Sequence, residues 1–301
     1  MRIIFCADPF NITRPDYMYE SEVAAAQEAN LSYSLISFEA LVEGKRAERA
    51  IRRVEPSAQG EVAVYRGWML RPEAYARLYE ALANKGISLL NTPTAYRHCH
   101  YLPESYPVIE GYTPRSTWLQ LEPGKPVDMN AVMQALYPFD GKPVIVKDFV
   151  KSRKHEWSEA CYIPSAADRQ VVERVVNRFL ELQGEDLNEG LVFREFVEFE
   201  PLTQHSKSGM PLIREFRQFF LDGKLILSTP YWEEGDYSGL QAPTDLFQNV
   251  AQQVQSRFFT MDIARLRSGE WMIVELGDAQ VAGLPERANV QAFYQALAKL
   301  A

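Results

Sequence analysis

The feature that most constrains the fold is a pair of mainly apolar runs near the carboxyl end, Met261–Leu266 and Trp271–Leu276. Ser268-Gly269 between them is typical of a two-residue β-hairpin turn, and a turn there places Asp262 directly opposite Glu275. Directly opposed side chains lie roughly 4.5 to 5.5 Å apart, so two like charges there destabilise the hairpin unless a cation lies between them. The segment therefore predicts a hairpin that carries a cation site.

A divalent metal is the cation that we predict at this hairpin. Asp278 follows the second strand and adds a third carboxylate, and the flanking positions are apolar, so these charges would be hard to solvate. We therefore predict Asp262, Glu275 and Asp278 as metal ligands. The alternative is that one carboxylate points to solvent or pairs with Arg265 or Arg267.

Length, charge and cysteine content narrow the class of protein. A chain of 301 residues with 47% apolar and 24% charged residues is an ordinary globular protein that can bury two or three cores. The net charge of -8 argues against a surface that coats nucleic acid. No run is long enough for a signal peptide or a membrane span. Cys6, Cys99 and Cys161 show no disulfide or zinc spacing, so we expect a cytoplasmic protein without nucleic-acid or membrane partners.

Residues 1–92 alternate short apolar runs with helical patterns, which predicts a small parallel sheet with right-handed crossovers. The helical patterns include Phe38–Val54 and a helix that opens at Pro72 and ends before Gly86. No Gly-x-Gly-x-x-Gly follows the first strand, so a dinucleotide site there is not expected. Residues 93–140 are rich in Pro and Tyr and predict a connector with one short helix near Met129–Leu136. A second hairpin turns at Asp222-Gly223.

Three segments could bind a phosphorylated ligand. Lys147 ends an apolar strand before the basic loop Lys151–His155, which suits phosphate, although a solvated basic loop would look the same. Arg217 is flanked by phenylalanines and needs an anion, either a transferring phosphate or a nearby carboxylate such as Glu215. Residues 193–200 offer apolar and carboxylate groups for a purine and its ribose, or form a charged edge strand. His98-Cys99-His100 lacks matching ligands at zinc spacing.

The order of these segments resembles the ATP-grasp superfamily along nearly the whole chain. Three longer motifs resemble its R2K clade: residues 65–70, residues 147–157 and residues 275–285. The resemblance implies an ATP-grasp fold, α/β and α+β, with a pre-ATP-grasp parallel domain at 1–92 and an ATP-grasp domain at 93–301. The latter would divide into subdomains at about 93–195 and 196–301, with ATP between them.

The resemblance also implies a role for each candidate residue. ATP would lie with its phosphates on Lys147, its adenine edge at Glu195–Val197 and its ribose on Glu200, and Mg²⁺ would be held by the three carboxylates. Arg217 would stabilise the moving phosphoryl group. Further nucleotide contacts are expected from the basic loop and the preceding strand, namely Lys151, Arg153, Lys154, Arg194 and Phe196. Arg66 and Trp68, near the end of a parallel strand, are the expected substrate contacts.

The implied activity is an ATP- and Mg²⁺-dependent carboxylate–amine ligase that works through an acylphosphate on an amino acid, a peptide or another small molecule. The alternatives are a nucleotide-binding assembly factor without turnover and a kinase that uses the same residues. The chain departs from the family pattern in three places: Asp278 replaces an asparagine, Lys151–His155 replaces a glycine-rich flap, and Arg97 or His98 replaces a connector lysine. The sequence does not determine the oligomeric state.

Overall fold

The amino-terminal part of the chain is a small parallel sheet with helices. A computed structural model describes residues 1–44, 46–122, 125–206 and 211–299. The first elements are β1 (Arg2–Cys6), α1 (Glu20–Glu28), β2 (Ser32–Ile36), α2 (Phe38–Val42), α3 (Ala47–Ala50), β3 (Glu61–Arg66), α4 (Pro72–Ala83) and β4 (Ile87–Leu89). The four strands are parallel in the order β2-β1-β3-β4, which confirms the predicted sheet.

The single helix predicted over Phe38–Val54 is wrong. The segment forms two short helices, α2 and α3, and Gly44 follows the first of them. Glycine is among the least favourable residues in a helix interior because it loses the most backbone freedom. The helix predicted from Pro72 is confirmed, and Gly86 follows it with a φ of +74°, a conformation that suits glycine.

The middle of the chain forms an antiparallel sheet and several helices. They are α5 (Pro93–His100), α6 (Leu102–Ile109), β5 (Ser116–Gln120), α7 (Met129–Leu136), β6 (Val144–Asp148), β7 (Tyr162–Ile163), α8 (Arg169–Gln183) and β8 (Gly190–Glu195). The strand order is β5-β8-β6-β7. The connector is more regular than predicted, because Pro93 and Pro103 occupy the first turns of α5 and α6, where proline disturbs no helical hydrogen bond.

The last part of the chain contains a second antiparallel sheet. Its elements are β9 (Pro201–Gln204), β10 (Pro211–Ile213), β11 (Glu215–Leu221), β12 (Lys224–Pro230), α9 (Gln248–Ala251), β13 (Phe258–Arg265), β14 (Trp271–Asp278) and α10 (Val290–Ala298). The sheet order is β12-β11-β13-β14, and β9 and β10 pair separately. Asp222 and Gly223 both have positive φ angles, as a tight hairpin turn requires, so the second predicted hairpin is confirmed.

Short helical turns complete the chain at Tyr17–Tyr19, Tyr137–Phe139, Lys154–Glu156, Trp157–Cys161 and Gly184–Asp186. Three buried apolar cores hold the sheets together. The first core includes Phe293, Tyr294 and Leu297 of α10, so the carboxyl-terminal helix packs on the amino-terminal sheet. The three large sheets fall within the three predicted segments, while the boundaries near residues 92 and 195 stay a prediction.

Candidate functional site

Residues of both antiparallel sheets line one cavity of about 290 Å³. Lys147 enters from β6, Arg217 from β11, Asp262 from β13, and Glu275 and Asp278 from β14. Lys147, Arg217 and the three predicted metal ligands therefore face a single space, although they come from distant parts of the chain, whereas Lys151, Arg153 and Lys154 are not among the lining residues.

Arg217, Asp262 and Glu275 lie in one row across three neighbouring strands, because β13 pairs Asp262 with Arg217 on one side and with Glu275 on the other. The Arg217 guanidinium donates two hydrogen bonds to Asp262, at 2.8 Å from Nε to Oδ1 and 2.7 Å from Nη2 to Oδ2. It also lies 4.7 Å from the ring centre of Tyr231. Arg217 thus pairs with a nearby carboxylate, which was one of the two anionic partners that the sequence allowed. Its side chain also lines the cavity.

Glu275 is the more open of the two opposed carboxylates. Its Oε2 lies 3.7 Å from the Lys147 Nζ across the cavity, and its side chain is 40% exposed against 1% for Asp262. Burial alone would raise the pKa of Glu275, but Lys147, Lys154 and Arg217 outweigh burial and hold that pKa below its usual value. Burial lowers the pKa of Lys147, and Glu275 opposes that effect. Glu275 is therefore an ionised acceptor that faces a cation.

The predicted pairing of Asp262 with Glu275 is confirmed, but the hairpin reaches it by a different route. Next to the turn the register differs by one residue from the predicted one, and a bulge after Asp262 restores it. Because of the bulge, Ile273 pairs with Ile263 on the buried face of the sheet. Without the bulge, Ile273 would lie on the same face as Glu275. The bulge directs the charged pair towards the cavity and the isoleucines into the core.

Asp278 is fully buried at the cavity wall and accepts hydrogen bonds from neighbouring side chains. Asn91 Nδ2 donates at 2.7 Å, the backbone N–H of Gln280 at 2.9 Å and the side-chain Nε2 of Gln280 at 3.2 Å. Burial raises the pKa of Asp278 to about 7, and these three donors act in the opposite direction. Asp278 therefore also joins the segment between β4 and α5 to the last strand.

The expected three-carboxylate metal cluster is not assembled in this conformation. Within the described ranges of the chain, no group of three or more His, Cys, Asp or Glu side chains is arranged around a common metal position. Asp262 is held by Arg217 and Asp278 by Asn91, which leaves Glu275 with the most available oxygens. This donor set fits Mg²⁺, because Mg²⁺ is usually held by one or two carboxylates together with phosphate oxygens and water.

The basic loop after β6 divides its cations between two places. Asp148 Oδ1 accepts bonds from the amides of Val150 and Lys151, which fixes the turn that leads out of β6. The Arg153 guanidinium donates to the Leu182 carbonyl on α8 and not into the cavity. Burial would lower the pKa of Lys154, but the carboxylates of Glu215, Glu275 and Asp262 raise it. Lys154 is therefore the loop cation that is coupled to the acidic row.

Arg194 and Glu195 leave β8 beside the cavity and have protein partners. Arg194 is buried, and its Nη2 donates to the Thr113 hydroxyl at 2.5 Å and to the Ile273 carbonyl at 3.3 Å. Glu195 accepts a bond from the Lys142 ammonium at 3.0 Å. Both side chains therefore support the structure at the predicted adenine edge.

Phe196, Val197 and Glu200 occupy the same edge. Phe196 packs edge-on against Trp157 and Tyr162. Glu200 pairs with Arg214 at 3.2 Å and Arg265 at 3.4 Å. The Val197 amide and carbonyl form no hydrogen bond in the part of the chain that the structure describes, so they can receive a ligand. The roles predicted for these residues stay a prediction.

Arg66 and Trp68 sit at the carboxyl end of β3. The Arg66 side chain is 1% exposed; it donates to both carboxylate oxygens of Glu22 at 2.9 Å and to the carbonyls of Ala279 and Ala282. These contacts turn the Arg66 donors inwards and give the side chain a structural role, and its expected contact with substrate stays a prediction. Trp68 is partly exposed and donates to Asp16 at 3.0 Å, and the next residue, Met69, lines the cavity.

In the connector, neither residue at the expected lysine position reaches the cavity. Arg97 forms a bidentate pair with Glu189 at 2.6 Å and also bonds Glu104 at 3.0 Å. His98 is buried but does not line the cavity, whereas His100 does. The cavity residue of the connector is therefore His100, which the sequence presented only as part of a weak metal motif.

Sequence reasoning missed several neutral residues of the cavity wall. They are Met69, Leu102, Ser105, Phe149, Val150, Tyr231, Thr260 and the segment Val281–Gly283. Tyr231 follows β12 directly, and no local pattern distinguishes it from other strand-end tyrosines. Residues 281–283 follow the hairpin that carries Asp262 and Glu275 and belong to the motif at 275–285. That motif is the sequence feature that could have identified them as cavity residues.

The fold and the site together define an ATP-grasp protein. The sequence model of the ATP-grasp domain, R2K clade family 3, matches residues 138–297, which is more than half of the chain. The chain therefore belongs to this family, as the motifs predicted. No curated protein matches the sequence.

Solved structures with the same fold are distant in sequence but cover the chain almost completely. The ATP-grasp ligase PsnB, in complex with minimal precursor, Mg and ADP, is 15% identical, with a TM-score of 0.55, over 98% of this chain and 96% of PsnB. The D-cycloserine synthetase DcsG is 14% identical, with a TM-score of 0.59, over 100% and 99% of the two chains. The D-alanyl-alanine synthetase A of Vibrio cholerae is 13% identical, with a TM-score of 0.55, over 99% and 97%. These similarities establish the ATP-grasp fold.

None of the helices in the described residues is both long enough and apolar enough to cross a membrane.

Proposed function

We propose that the chain is an ATP- and Mg²⁺-dependent carboxylate–amine ligase. The observation that carries this proposal is the single cavity lined by Lys147, Arg217, Asp262 and Glu275, which combines cations for phosphate with carboxylates for a metal. Membership of an ATP-grasp family supports ATP as the nucleotide. The similar fold of PsnB, whose structure holds Mg and ADP, supports both cofactors. Such a ligase would work in the cytoplasm, where its three buried free cysteines stay reduced.

Each charged residue has a distinct part in the proposed reaction. Lys147 binds the phosphate chain, and Glu275, with Asp262 or Asp278, holds Mg²⁺, which neutralises phosphate charge when bound. Arg217 stabilises the transferring phosphoryl group, and its bidentate pair with Asp262 keeps the guanidinium oriented. The protein mainly supplies charge and alignment, as in other phosphoryl transfers.

The proposed chemistry has two steps. A substrate carboxylate oxygen attacks the terminal phosphorus of ATP, the bond to the bridging oxygen breaks, and ADP leaves with the electron pair. The resulting acylphosphate is attacked at its carbonyl carbon by an amine, inorganic phosphate leaves, and the amine loses a proton. The products are an amide, ADP and phosphate. Substrates of peptide or amino-acid type are supported by neighbours that bind precursor peptides or are synthetases of small molecules.

One observation favours an assembly factor that binds nucleotide without turnover. Asp262 and Asp278 are both engaged by protein donors, so the carboxylates are not gathered around a metal position in the described chain. A ligase that uses a second carboxylate for Mg²⁺ must release Asp262 or Asp278 from its protein donors when Mg²⁺-ATP binds, whereas a protein that only binds nucleotide can leave both engaged. A kinase would use the same residues and would release a phosphorylated product.

The test is incubation of the protein with ATP, Mg²⁺ and pools of amino acids and peptides, followed by measurement of ADP and of new masses. ADP with a condensed product is the result that we expect. ADP with a phosphorylated product would identify a kinase, and nucleotide binding without ADP would identify the assembly factor.

Glu275→Gln is the matched variant for this test, since it keeps the shape of the side chain and removes the charge that faces Lys147. We expect it to lower turnover by at least about a hundredfold, a typical loss for a group that stabilises phosphate charge. The control is Glu270→Gln, which changes an exposed carboxylate of the same hairpin and should leave turnover unchanged. Full activity of Glu275→Gln would exclude the proposed role.

A further inference from the structure

His100 is a polar residue of the cavity that the proposed reaction does not yet use. Its side chain is 9% exposed and lines the cavity together with Lys147 and Glu275. Neither of its ring nitrogens makes a hydrogen bond of good geometry in the described part of the chain, although the Tyr96 backbone lies near the ring. Buried polar atoms are almost always well hydrogen-bonded, so an imidazole that is this weakly engaged at the wall of a cavity is placed to bind a ligand.

The position of the ring is fixed by a stack of aromatic residues. His100 is the last residue of α5, and its ring lies 4.5 Å from that of Tyr96 at 19°, while Tyr75 stacks on the other face of Tyr96 at 4.0 Å. The Tyr96 hydroxyl is held by the Leu70 amide at 2.9 Å and by the Leu70 carbonyl at 2.8 Å. The imidazole is therefore placed in advance of ligand binding.

The neighbouring charges show which ligand the ring would meet. Burial lowers the pKa of His100 to about 4, Glu275 and the Tyr96 backbone act in the opposite direction, and Lys151 adds to the effect of burial. The ring is neutral near pH 7 and offers one N–H donor and one acceptor nitrogen. It lines the same cavity as Lys147, and Glu275, whose charge acts on the ring, lies 3.7 Å from the Lys147 ammonium.

We propose that His100 contacts the phosphate chain of the nucleotide, donating a ring N–H to a phosphate oxygen beside Lys147. This inference rests on the proposed function, because it requires a nucleotide in the cavity. A neutral donor binds a phosphate oxygen without adding a further cation next to Lys147. Of the other candidates on α5, Arg97 pairs with Glu189 and His98 does not line the cavity.

His98 offers a matched control on the same helix. It is 5% exposed, and its Nε2 also lacks a partner in the described residues, but it does not line the cavity. If both buried histidines of α5 serve only packing, substitutions at the two positions should have the same effect on the affinity for ligands. If His100 contacts phosphate, only its substitution should weaken binding, and only for ligands that carry phosphates.

The experiment is calorimetric titration of the whole protein with AMPPNP plus Mg²⁺ and, separately, with adenosine. The variants are His100→Phe, which keeps an aromatic ring, His100→Gln, which restores an amide donor, and His98→Phe. We expect about a tenfold loss of AMPPNP affinity in His100→Phe, the usual effect of losing one hydrogen bond to a charged group. We expect His100→Gln to recover most of that loss, and adenosine affinity to be unchanged in all variants.

Several results would overturn the proposal. An unchanged AMPPNP affinity in His100→Phe would exclude the contact, and an equal loss in His98→Phe or for adenosine would show a packing effect. Absence of AMPPNP binding to the unsubstituted protein would end the proposed function and this inference with it. As a second measurement, ¹⁵N spectra of the histidine rings should show a shift at His100 when AMPPNP binds, and no such shift would contradict direct contact even if the substituted proteins do not fold.

Discussion

At the scale of single residues, Glu215 is a buried carboxyl whose pKa is strongly raised by folding. It is 4% exposed, lies on β11 two residues before Arg217, and is opposed to β13. Burial raises its pKa to about 8, the nearby charge of Asp262 raises it further, and Lys154 and Arg217 act in the opposite direction. In the absence of nucleotide and metal, the folded protein therefore favours the protonated form of Glu215.

This pKa predicts how stability depends on pH. Because the folded pKa lies above the ordinary value of 4.5, the free energy of unfolding should fall as pH rises from about 4.5 to about 8. Glu215→Gln carries no charge, so it should gain stability relative to the unsubstituted protein at pH 8.5, on the order of 2 kcal/mol, and little at pH 5.

Urea denaturation of both proteins at the two pH values measures this difference. The control is Glu270→Gln at an exposed position, whose effect should be small at both pH values. The opposite result would be a substitution that lowers stability, and lowers it more at pH 8.5 than at pH 5. That result would show that the Glu215 carboxyl is ionised and well paired in the fold.

Sequence reasoning was effective for residues whose partners lie in the same hairpin or at the end of a strand. The pairing of Asp262 with Glu275 was predicted from the turn, although a bulge in the hairpin is needed to produce it, and Lys147 and Arg217 stood out as isolated cations next to apolar runs. The protein partners of Arg66 could not be predicted, because Glu22 and the carbonyls at 279 and 282 come from other parts of the chain. No local pattern indicates that such a guanidinium turns inwards.

At the scale of elements, the structure changes the interpretation of the basic loop after β6. The sequence presented Lys151, Arg153 and Lys154 as one phosphate-binding group, but Arg153 bonds α8, whereas Lys154 is coupled to the acidic row. Loops are hard to predict because their side-chain directions depend on the elements against which they pack.

The division of the loop predicts different effects on nucleotide binding. Lys154→Gln should weaken the affinity for ADP plus Mg²⁺ by about threefold to tenfold, because it removes a cation coupled to the site. Arg153→Gln should leave the affinity nearly unchanged and instead lower the melting temperature, since it removes a bond to the end of α8. Titration and thermal melting of both variants measure this, and equal affinity losses in the two would contradict the assignment.

The bulged hairpin shows why the register of an element is harder to predict than its existence. The apolar runs and the turn indicated a hairpin, and the structure has one. The bulge after Asp262 depends on Ile263 and Ile273 being drawn into the core, which is a property of the packed sheet and not of the turn.

At the scale of the whole molecule, one buried hydrogen-bond network joins the amino-terminal part of the chain to the last antiparallel sheet. Asn91, between β4 and α5, donates to the Phe258 carbonyl at 2.6 Å and to Asp278 at 2.7 Å, and accepts a bond from the Phe258 amide at 3.0 Å. Gln280 donates to Asp278 and to the Tyr75 hydroxyl of the amino-terminal part. These contacts span up to 205 positions in sequence, so no local pattern could predict them.

The network predicts that Asn91 has a large effect on stability. Asn91→Ala removes the acceptor of the buried Phe258 amide and a donor to the buried Asp278 carboxyl, which should cost about 2 to 4 kcal/mol in the free energy of unfolding. Asn84→Ala, at an exposed position at the end of α4, should change it by less than about 0.5 kcal/mol. Denaturant unfolding compares the two, and an equally small effect of Asn91→Ala would show that the network does not hold the parts together.

We propose that the cavity between the antiparallel sheets binds a nucleotide through Lys147 and a divalent metal through Glu275. The decisive measurement is a crystal structure of the protein with AMPPNP and Mn²⁺, recorded at a wavelength where manganese scatters anomalously. We expect an anomalous peak within coordination distance of a Glu275 oxygen and of phosphate oxygens, with Lys147 on the same phosphate chain. Nucleotide bound elsewhere, or a manganese peak without Glu275 among its ligands, would contradict it.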